Sequence, residues 1–169
     1  MMKRYTVAVL VSNKFGVLNR VTSMFRRRQF NINALTVSET ESAETSRITV
    51  IFEGEDVKKQ QLVNQLYKLP DVISITELSP ETSVSCELLL IKMQNIPEVR
   101  DDIIVGANAF GAETMNYSRD AIVFRLTETS EKIDEFINLM RDYTILEICR
   151  TGSVSLEKGA STIRKVTNF

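Results

Sequence analysis

The sequence of 169 residues contains no histidine. Histidine is the commonest general base and a frequent metal ligand, so its absence excludes nucleophiles activated by histidine and histidine metal sites. The two cysteines, Cys86 and Cys149, are too few for a zinc cluster or a disulfide framework, and we expect them to be buried free thiols. The sequence therefore indicates a protein with little catalytic equipment of its own.

Long apolar segments are also missing. No run approaches the roughly 20 residues that a membrane span needs, and residues 1–6 lack the apolar stretch of a signal peptide. Lysine and arginine number 21 against 22 aspartates and glutamates, which gives a formal net charge of −1. Such a balance gives no reason to expect nucleic acid or an anionic membrane as partner. We therefore expect a cytoplasmic protein.

The first 79 residues alternate between strand and helix patterns. Residues 5–11 have the period of a half-buried strand, and Val17 to Phe25 carries an apolar stripe at helical spacing. Arg26-Arg27-Arg28 follows at the negative end of that helix and fits a solvated helix end, with contact to a partner or a phosphate as the alternative. The later elements are strands at 31–38 and 47–53, a helix with Asp56 as N-cap, and a strand at 72–78. This β-α-β-β-α-β order is the ferredoxin-like unit.

The same pattern begins again after a linker at residues 79–83. We predict a strand at 86–93, a helix that begins at Pro97 and stops at Gly111, a hairpin around 118–120, a helix after Ser130, and a strand at 143–150. The fold class is therefore α+β, with two consecutive ferredoxin-like βαββαβ units. Their predicted bounds are 1–79 and 84–152, and residues 153–169 are expected to be a polar, poorly ordered or partner-ordered tail.

The predicted architecture implies assembly. Both helices of such a unit cover one face of the sheet, and strands one and three occupy its centre. Strand three is apolar on both faces, because Ile51 points opposite to Ile48 and Val50. Burial of apolar surface contributes about 25 cal/mol per Å², so leaving the second face exposed to water would lose several kcal/mol of stabilisation. We therefore predict a homodimer through the first unit, by sheet edge or helix packing.

The connection at residues 13–18 could bind a small molecule. Free amides at the start of a helix favour a carboxylate, Gly16 permits close approach or a positive φ, and Asn13 offers a donor and an acceptor. Asn31 lies beyond the far end of the first helix, so the two asparagines could meet only across a two-fold dimer. That arrangement would hold a small zwitterion with an apolar tail. The alternative, in which Gly16 is a turn residue and both asparagines cap loops, stays open here.

Two stretches, residues 11–21 and 25–37, resemble the ACT domain of the small, regulatory subunit of acetolactate synthase (acetohydroxyacid synthase). Members of that family typically show N-x-x-G-V/A-L-x-R-V and then F-x-x-R-x-F/Y-N-I-x-S-L-T-V. Gln29 here replaces the usual glycine and Ala34 the usual serine. Residues 87–92 and 150–152 also fit the C-terminal domain of the family, so the resemblance covers nearly the whole chain.

The resemblance implies a regulatory partner without catalytic or metal-binding residues of its own. Such a chain would dimerise through its ACT domain, activate the large subunit of the holoenzyme, a transferase, and confer feedback inhibition by valine. The thiamine diphosphate, magnesium and FAD of the holoenzyme would reside in the large subunit alone. The effector-binding residues implied by position are Asn13, Phe15, Gly16, Val17 and Leu18 from one chain and Asn31 and Ile32 from its neighbour.

Three other functions compete with this interpretation. A stand-alone tandem-ACT sensor, acting on another enzyme or a transcription factor, would share the pocket and differ only in its partner. RNA-binding modules of this topology need stacking aromatic residues on the central strands, and residues 47–52 lack that pattern. A small enzyme of the acylphosphatase type would need a phosphate-binding loop with its arginine, which is not apparent. The regulatory subunit is therefore the favoured prediction, without nucleic acid or membrane partners.

Overall fold

The first repeat forms a four-stranded antiparallel sheet with two helices. The computed structural model describes residues 3–164. Its first elements are β1 (Lys3–Ser12), α1 (Val17–Arg27), β2 (Ile32–Glu39), β3 (Thr45–Gly54), α2 (Asp56–Leu66) and β4 (Val72–Leu78). The strand order is β2-β3-β1-β4, so β1 and β3 are central, as the sequence predicts.

The second repeat has the same plan. Its elements are β5 (Ser83–Gln94), α3 (Arg100–Ala109), β6 (Glu113–Tyr117), β7 (Ala121–Glu128), α4 (Ser130–Met140) and β8 (Ile145–Arg150). The strand order β6-β7-β5-β8 matches that of the first repeat element by element. The prediction of two βαββαβ units is therefore confirmed.

The chain divides into two compact units. The second unit is Cys86–Ser153, and the first unit comprises the described residues up to Ser85 together with those from Val154 onward. One further strand, β9 (Val154–Glu157), pairs with β5, whose residues 83–85 belong to the same first unit. We call residues 154–164 the C-terminal segment. Its strand differs from a poorly ordered tail, whereas the sequence predicts a poorly ordered or partner-ordered tail over residues 153–169; residues 165–169 lie outside the described residues.

Hydrogen bonding explains why β9 escapes hydrophobic patterning. Ser155 is buried and its hydroxyl lies 2.7 Å from that of Ser85, whereas Val154 and Leu156 are exposed. The guanidinium of Arg47 on β3 donates to the Ser155 carbonyl at 2.8 Å. Small hydroxyl side chains thus point inward and apolar ones outward, which inverts the usual pattern of a half-buried strand.

Each unit has its own apolar core between sheet and helices. In the first unit, Phe52 lies at the centre of an aromatic cluster, with ring centroids 5.4 Å from Phe25 and 5.1 Å from Phe30. In the second unit, Phe124 and Phe136 are the largest fully buried side chains. The apolar stripes of α1 and α4 are the helix faces that enter these cores.

Two helices start differently from the sequence prediction. Asp56 is not the N-cap of α2 but its first residue, and Glu55 occupies the cap position. The Asp56 carboxylate instead accepts hydrogen bonds from the Tyr5 hydroxyl at 2.6 Å and from the Lys3 ammonium at 2.8 Å. The hydrogen bond to Asp56 raises the pKa of Tyr5 to about 12. The Asp56 carboxylate therefore forms charge-assisted hydrogen bonds with β1 and does not cap the helix.

Helix α3 begins at Arg100 and not at Pro97. Asn95 is buried, donates to the Ser118 carbonyl at 2.7 Å and accepts from the Arg100 guanidinium at 2.6 Å. These bonds hold the chain in a turn before the helix. Cys86 and Cys149 are free and exposed, so their expected burial is also wrong. The reason for Cys149 is its place opposite Leu90, on the sheet face turned away from the helices.

The C-terminal end of α1 is strained. Gln29 has φ 58°, and it is the only residue other than glycine among residues 3–164 with a positive φ. Its amide donates to the Arg26 carbonyl and the next amide donates to the Phe25 carbonyl, the pattern of a Schellman motif. A side chain in this left-handed conformation costs about 1 kcal/mol relative to glycine.

Across residues 3–164 we find no helix whose length and apolar character would let it traverse a lipid bilayer.

Candidate effector site

The turn between β1 and α1 places Gly16 at the N-cap of the helix. Gly16 has φ 78°, a left-handed conformation that glycine adopts without strain, and no side chain caps the helix. The Val17 amide donates to the Lys14 carbonyl at 3.3 Å. The amides of Leu18 and Asn19 are then first-turn donors without an intrahelical acceptor, at the positive end of the helix dipole. This end of α1 is suited to a carboxylate.

Apolar side chains flank these amides. Phe15 is fully exposed and Leu18 is 41% exposed, so both can contact a ligand or a second chain. Val17 is buried in the core of the first unit. Of the residues predicted on this turn, Val17 therefore contributes backbone geometry, whereas Phe15 and Leu18 contribute apolar surface.

Asn13 is fixed from the opposite side of the turn. Its side-chain amide donates to the Glu39 carboxylate and to the Ala43 carbonyl, both at 2.9 Å, and its backbone amide donates to the Glu44 carbonyl at 2.7 Å. Within the described residues its Oδ1 atom accepts no hydrogen bond. That oxygen can accept from an ammonium group.

Asn31 and Ile32 lie at the other end of the same sheet. Ile32 pairs with Phe52, which pairs with Tyr5, whereas the Gly16 turn follows Ser12. Seven residues separate Tyr5 from Ser12 along β1, which is about 23 Å. The structure therefore brings Asn13, Phe15, Gly16 and Leu18 together and leaves Asn31 and Ile32 apart from them within one chain.

An ion pair that the sequence analysis did not assign braces the turn. Arg20 on α1 donates to the Asp71 carboxylate at 2.6 Å, and the Asp71 carbonyl accepts from the Ser12 amide at 2.8 Å. The chain on both sides of Gly16 is thus tied to the start of β4. Arg20 occupies the arginine position of the N-x-x-G-V/A-L-x-R-V pattern, so the motif carried a signal for it. Asp71 and Glu39 are partners distant in sequence, and no local pattern marks them.

A groove of about 470 Å³ lies on the same unit, on the sheet face turned away from the helices. Leu10, Arg47 and the residues 38–41 line it from the sheet, and Leu156, Glu157 and residues 161–164 line it from the C-terminal segment. Burial lowers the pKa of Arg47 while nearby Glu157 opposes that shift. Arg164 pairs with Glu41 at 2.7 Å, two residues from the Glu39 that holds Asn13. The C-terminal segment thus reaches the loop that supports the candidate site.

The burial of the outer face bears on the predicted dimer. Ala8, Leu10, Thr49 and Ile51 on this face are already buried in the single chain, at 0–4% exposure. Their burial alone therefore requires no second copy. The remaining physical argument for a dimer is that the Gly16 turn and the pair Asn31 and Ile32 lie at opposite ends of the sheet, so that two chains are needed to bring them together.

Comparisons with known proteins identify the family of this chain. Residues 7–74 match the family model of the small subunit-like ACT domain of acetohydroxyacid synthase, and residues 86–159 match that of the small subunit of acetolactate synthase. A protein of Archaeoglobus fulgidus named a probable acetolactate synthase small subunit is 44% identical over 156 residues, covering 92% of this chain and 98% of the relative. The acetolactate synthase small subunit of Bacillus subtilis is 41% identical over 160 residues, covering 94% and 92%.

A solved structure supports the same assignment. The crystal structure of the acetolactate synthase small subunit from Thermotoga maritima superposes with a TM-score of 0.86 at 33% identity, covering 94% of this chain and 99% of that one. The match extends through both units and the turn at Gly16 lies in the matched ACT domain. The chain belongs to the acetolactate synthase small-subunit family of regulatory subunits.

Proposed function

We propose that this chain binds and activates the catalytic subunit of acetolactate synthase and mediates feedback inhibition by valine. The observation that carries the proposal is the Gly16 turn, where helix amides, an exposed apolar pair and the Asn13 oxygen converge. These three features match the carboxylate, the branched side chain and the ammonium group of a small apolar amino acid. No group in the site is suited to chemistry on the ligand.

A second copy of the chain completes the site. Two first units related by a two-fold axis would bring Asn31 and Ile32 of one chain to the Gly16 turn of the other. Ile32 would then enclose the branched side chain with Leu18, and Asn31 would add a polar contact. The two-fold symmetry generates two equivalent sites for each dimer.

Valine acts in this proposal by favouring one dimer geometry over another. Its effect on the catalytic subunit cannot exceed its differential affinity for the two geometries, typically about 1–3 kcal/mol of coupling free energy. We propose that the geometry favoured by valine is the less activating one. Thiamine diphosphate, magnesium and FAD would remain in the catalytic subunit, and the complex would work in the cytoplasm.

Calorimetry on variants of both ends of the sheet tests the site. Gly16→Asp places a carboxylate where the ligand carboxylate would lie. An added Cβ would have room, since its nearest neighbour is the Arg20 guanidinium at 3.6 Å, but the φ of 78° makes the substitution strained by about 1 kcal/mol. Asn31→Ala removes one polar contact. We expect valine affinity to fall by at least about ten-fold in each variant, the loss of a charge-assisted contact or a hydrogen bond in a desolvated site. Unchanged affinity in both would show the site to be elsewhere.

Activity assays test the regulatory role. The purified chain is mixed with the catalytic subunit, and acetolactate formation is measured with and without valine. We expect activation by the chain and its partial loss with valine, while Gly16→Asp should activate without responding to valine. Failure to associate with the catalytic subunit would instead favour a stand-alone amino-acid sensor.

A further inference from the structure

A cluster of positive charge lies at the end of α1 that is remote from Gly16. Arg27, Arg28 and Lys58 line a shallow pocket of about 270 Å³ together with Gln29, Phe30 and Gln61, and no carboxylate lines it. We call this group the basic pocket. Within residues 3–164 the side chains of these three cations form no ion pair or hydrogen bond. Like charges held close together without counter-charge repel one another, in a chain whose formal net charge is −1.

Helix-end electrostatics account for only part of this cluster. The arginines at the C-terminal end of α1 interact favourably with the negative end of that helix dipole. Lys58, however, is the third residue of α2 and lies at the positive end of its own helix, where a cation is unfavourable. A bound anion would neutralise Lys58 and would itself interact favourably with this end of the helix dipole.

The strained residue of the chain lines the same pocket. Gln29 holds a left-handed conformation that glycine would adopt freely, and its side chain faces the pocket with Arg28 and Gln61. Backbone strain persists where the surrounding structure maintains it, and strained residues cluster at functional sites. A glycine would end α1 as well and would remove one amide from the pocket.

We propose that the basic pocket binds a small phosphate-bearing anion, of the size of phosphate or pyrophosphate. Guanidinium groups match phosphate oxygens in pairs, Lys58 supplies a point charge, and the amides of Gln29 and Gln61 add neutral donors. The volume is below the range of pockets that hold drug-sized ligands, so the anion is small. Glu53 near the end of β3 and Glu55 directly before α2 carry negative charges that disfavour a long polyanion such as RNA.

This site is separate from the proposed valine site within one chain. The 11 residues of α1 put about 16 Å between Gly16 and the basic pocket. The inference goes beyond the proposed function and does not depend on it. An anion bound here would nevertheless lie beside Asn31, two residues after Gln29, and so near the end of the sheet offered to a second copy.

Titration calorimetry of the full chain with inorganic pyrophosphate and with inorganic phosphate, at low ionic strength, tests the proposal. We expect saturable binding of one anion per chain, weakened at least about ten-fold in Arg28→Ala/Lys58→Ala, because charge-assisted bonds dominate such sites. The matched control is Arg119→Ala/Arg141→Ala, which removes two exposed cations from the second unit and changes the net charge equally. We expect that control to bind within about two-fold of the parent, since distant surface charges are screened.

Gln29→Gly separates a binding role from a merely structural one. We expect this variant to be more stable than the parent in urea and to bind pyrophosphate more weakly, so that the two properties move in opposite directions.

Two results would overturn the proposal. The first is a parent chain that shows no saturable binding of either anion. If Arg28→Ala/Lys58→Ala then also weakens association with the catalytic subunit, the cluster would be assigned to an acidic protein surface. The second is an equal loss of anion binding in the Arg119→Ala/Arg141→Ala control.

Discussion

The two units share a strand order but treat their outer sheet faces, those turned away from the helices, in opposite ways. In the first unit this face is sealed, with Leu10 and Ile51 at 2–3% exposure and the C-terminal segment bonded to it through Arg47. In the second unit Leu90 is 36% exposed on the corresponding face. Topology alone therefore does not decide what happens to the second face of a ferredoxin-like sheet.

Ion pairs make the exposed face of the second unit compatible with water. Lys92 pairs with Glu147 at 2.7 Å across β5 and β8, and Arg125 pairs with Glu113 across β7 and β6. Leu90 sits among these charges, opposite Arg125. On the outer face of the first unit, the central strands carry apolar or hydroxyl side chains at Ala8, Leu10, Thr49 and Ile51. These side chains are therefore shielded from water. The cover formed by the C-terminal segment leaves a groove on this face, lined by Leu10, Arg47 and that segment.

The sharpest way to break this comparison is to place the same charge on both faces. Ile51→Asp should lower the free energy of unfolding by about 4 kcal/mol, because it buries an unpaired carboxylate. Leu90→Asp should change it by less than about 1 kcal/mol, because the new side chain is solvated and lies opposite Arg125. Urea unfolding of the two variants checks both values. Similar losses would mean that the outer faces do not differ in solution.

The second largest expected difference is the loss of unfolding free energy when an ion pair is broken in each unit. Glu87 is 3% exposed and its carboxylate accepts from the Arg150 guanidinium at 2.6 Å and from the Ser130 hydroxyl at 2.8 Å. Glu87→Ala leaves Arg150 without its buried partner and should cost about 3 kcal/mol. Arg20→Ala in the first unit breaks a partly exposed pair and should cost less than about 1 kcal/mol. Chemical denaturation of both variants at neutral pH measures the contrast.

The same carboxylate predicts a pH dependence of the second unit. Burial raises the pKa of Glu87, but the hydrogen bonds from Arg150 and Ser130 outweigh it and leave the pKa below its usual value. Its contribution to stability is then complete above the unfolded pKa of about 4.3 and is lost as the pH falls through the folded value. Glu87→Gln should flatten the acid limb of the stability profile. An unchanged acid limb would exclude Glu87 as its source.

The smallest difference concerns how two equivalent helices end. Two residues after the last residue of α1, Gln29 has φ 58°. Two residues after the last residue of α3, Gly111 has φ 73° and takes part in the same hydrogen-bonding pattern. Gln29→Gly should therefore raise the free energy of unfolding by about 1 kcal/mol, and Gly111→Gln should lower it by a similar amount. Thermal and urea melts of this reciprocal pair measure the effect. Two changes of the same sign would refute the strain argument.

Periodicity in the sequence predicted the four strands and two helices of each repeat, because apolar stripes and alternations persist along most of these elements. It failed where distant groups compete with local signals. Aspartate is a common N-cap residue, yet the Asp56 carboxylate accepts hydrogen bonds from Lys3 and Tyr5 instead. Strand β9 was missed because Ser155, and not Val154, points inward. Both failures depend on partners that no local window contains.

The candidate site was predictable in the same partial sense. Gly16 and Asn13 stand in a motif that marks a helix start able to hold a carboxylate. Their supports, Glu39 and Asp71, come from other strands and loops, so only the folded chain identifies them. The strain at Gln29 follows from the structure, although the resemblance to the family implied that glycine is usual at that position.

The return of β9 has a consequence for dissecting the protein. The polypeptide leaves the first unit after Ser85 and re-enters it at Val154, so the second unit is an insertion and not an appendage. A fragment that ends at the 79–83 connection would lack the strand whose carbonyl accepts from Arg47 and the segment that lines the groove beside Leu10. Such a fragment should aggregate or self-associate. A better minimal version of the first unit would join residue 85 to residue 154 through a short turn.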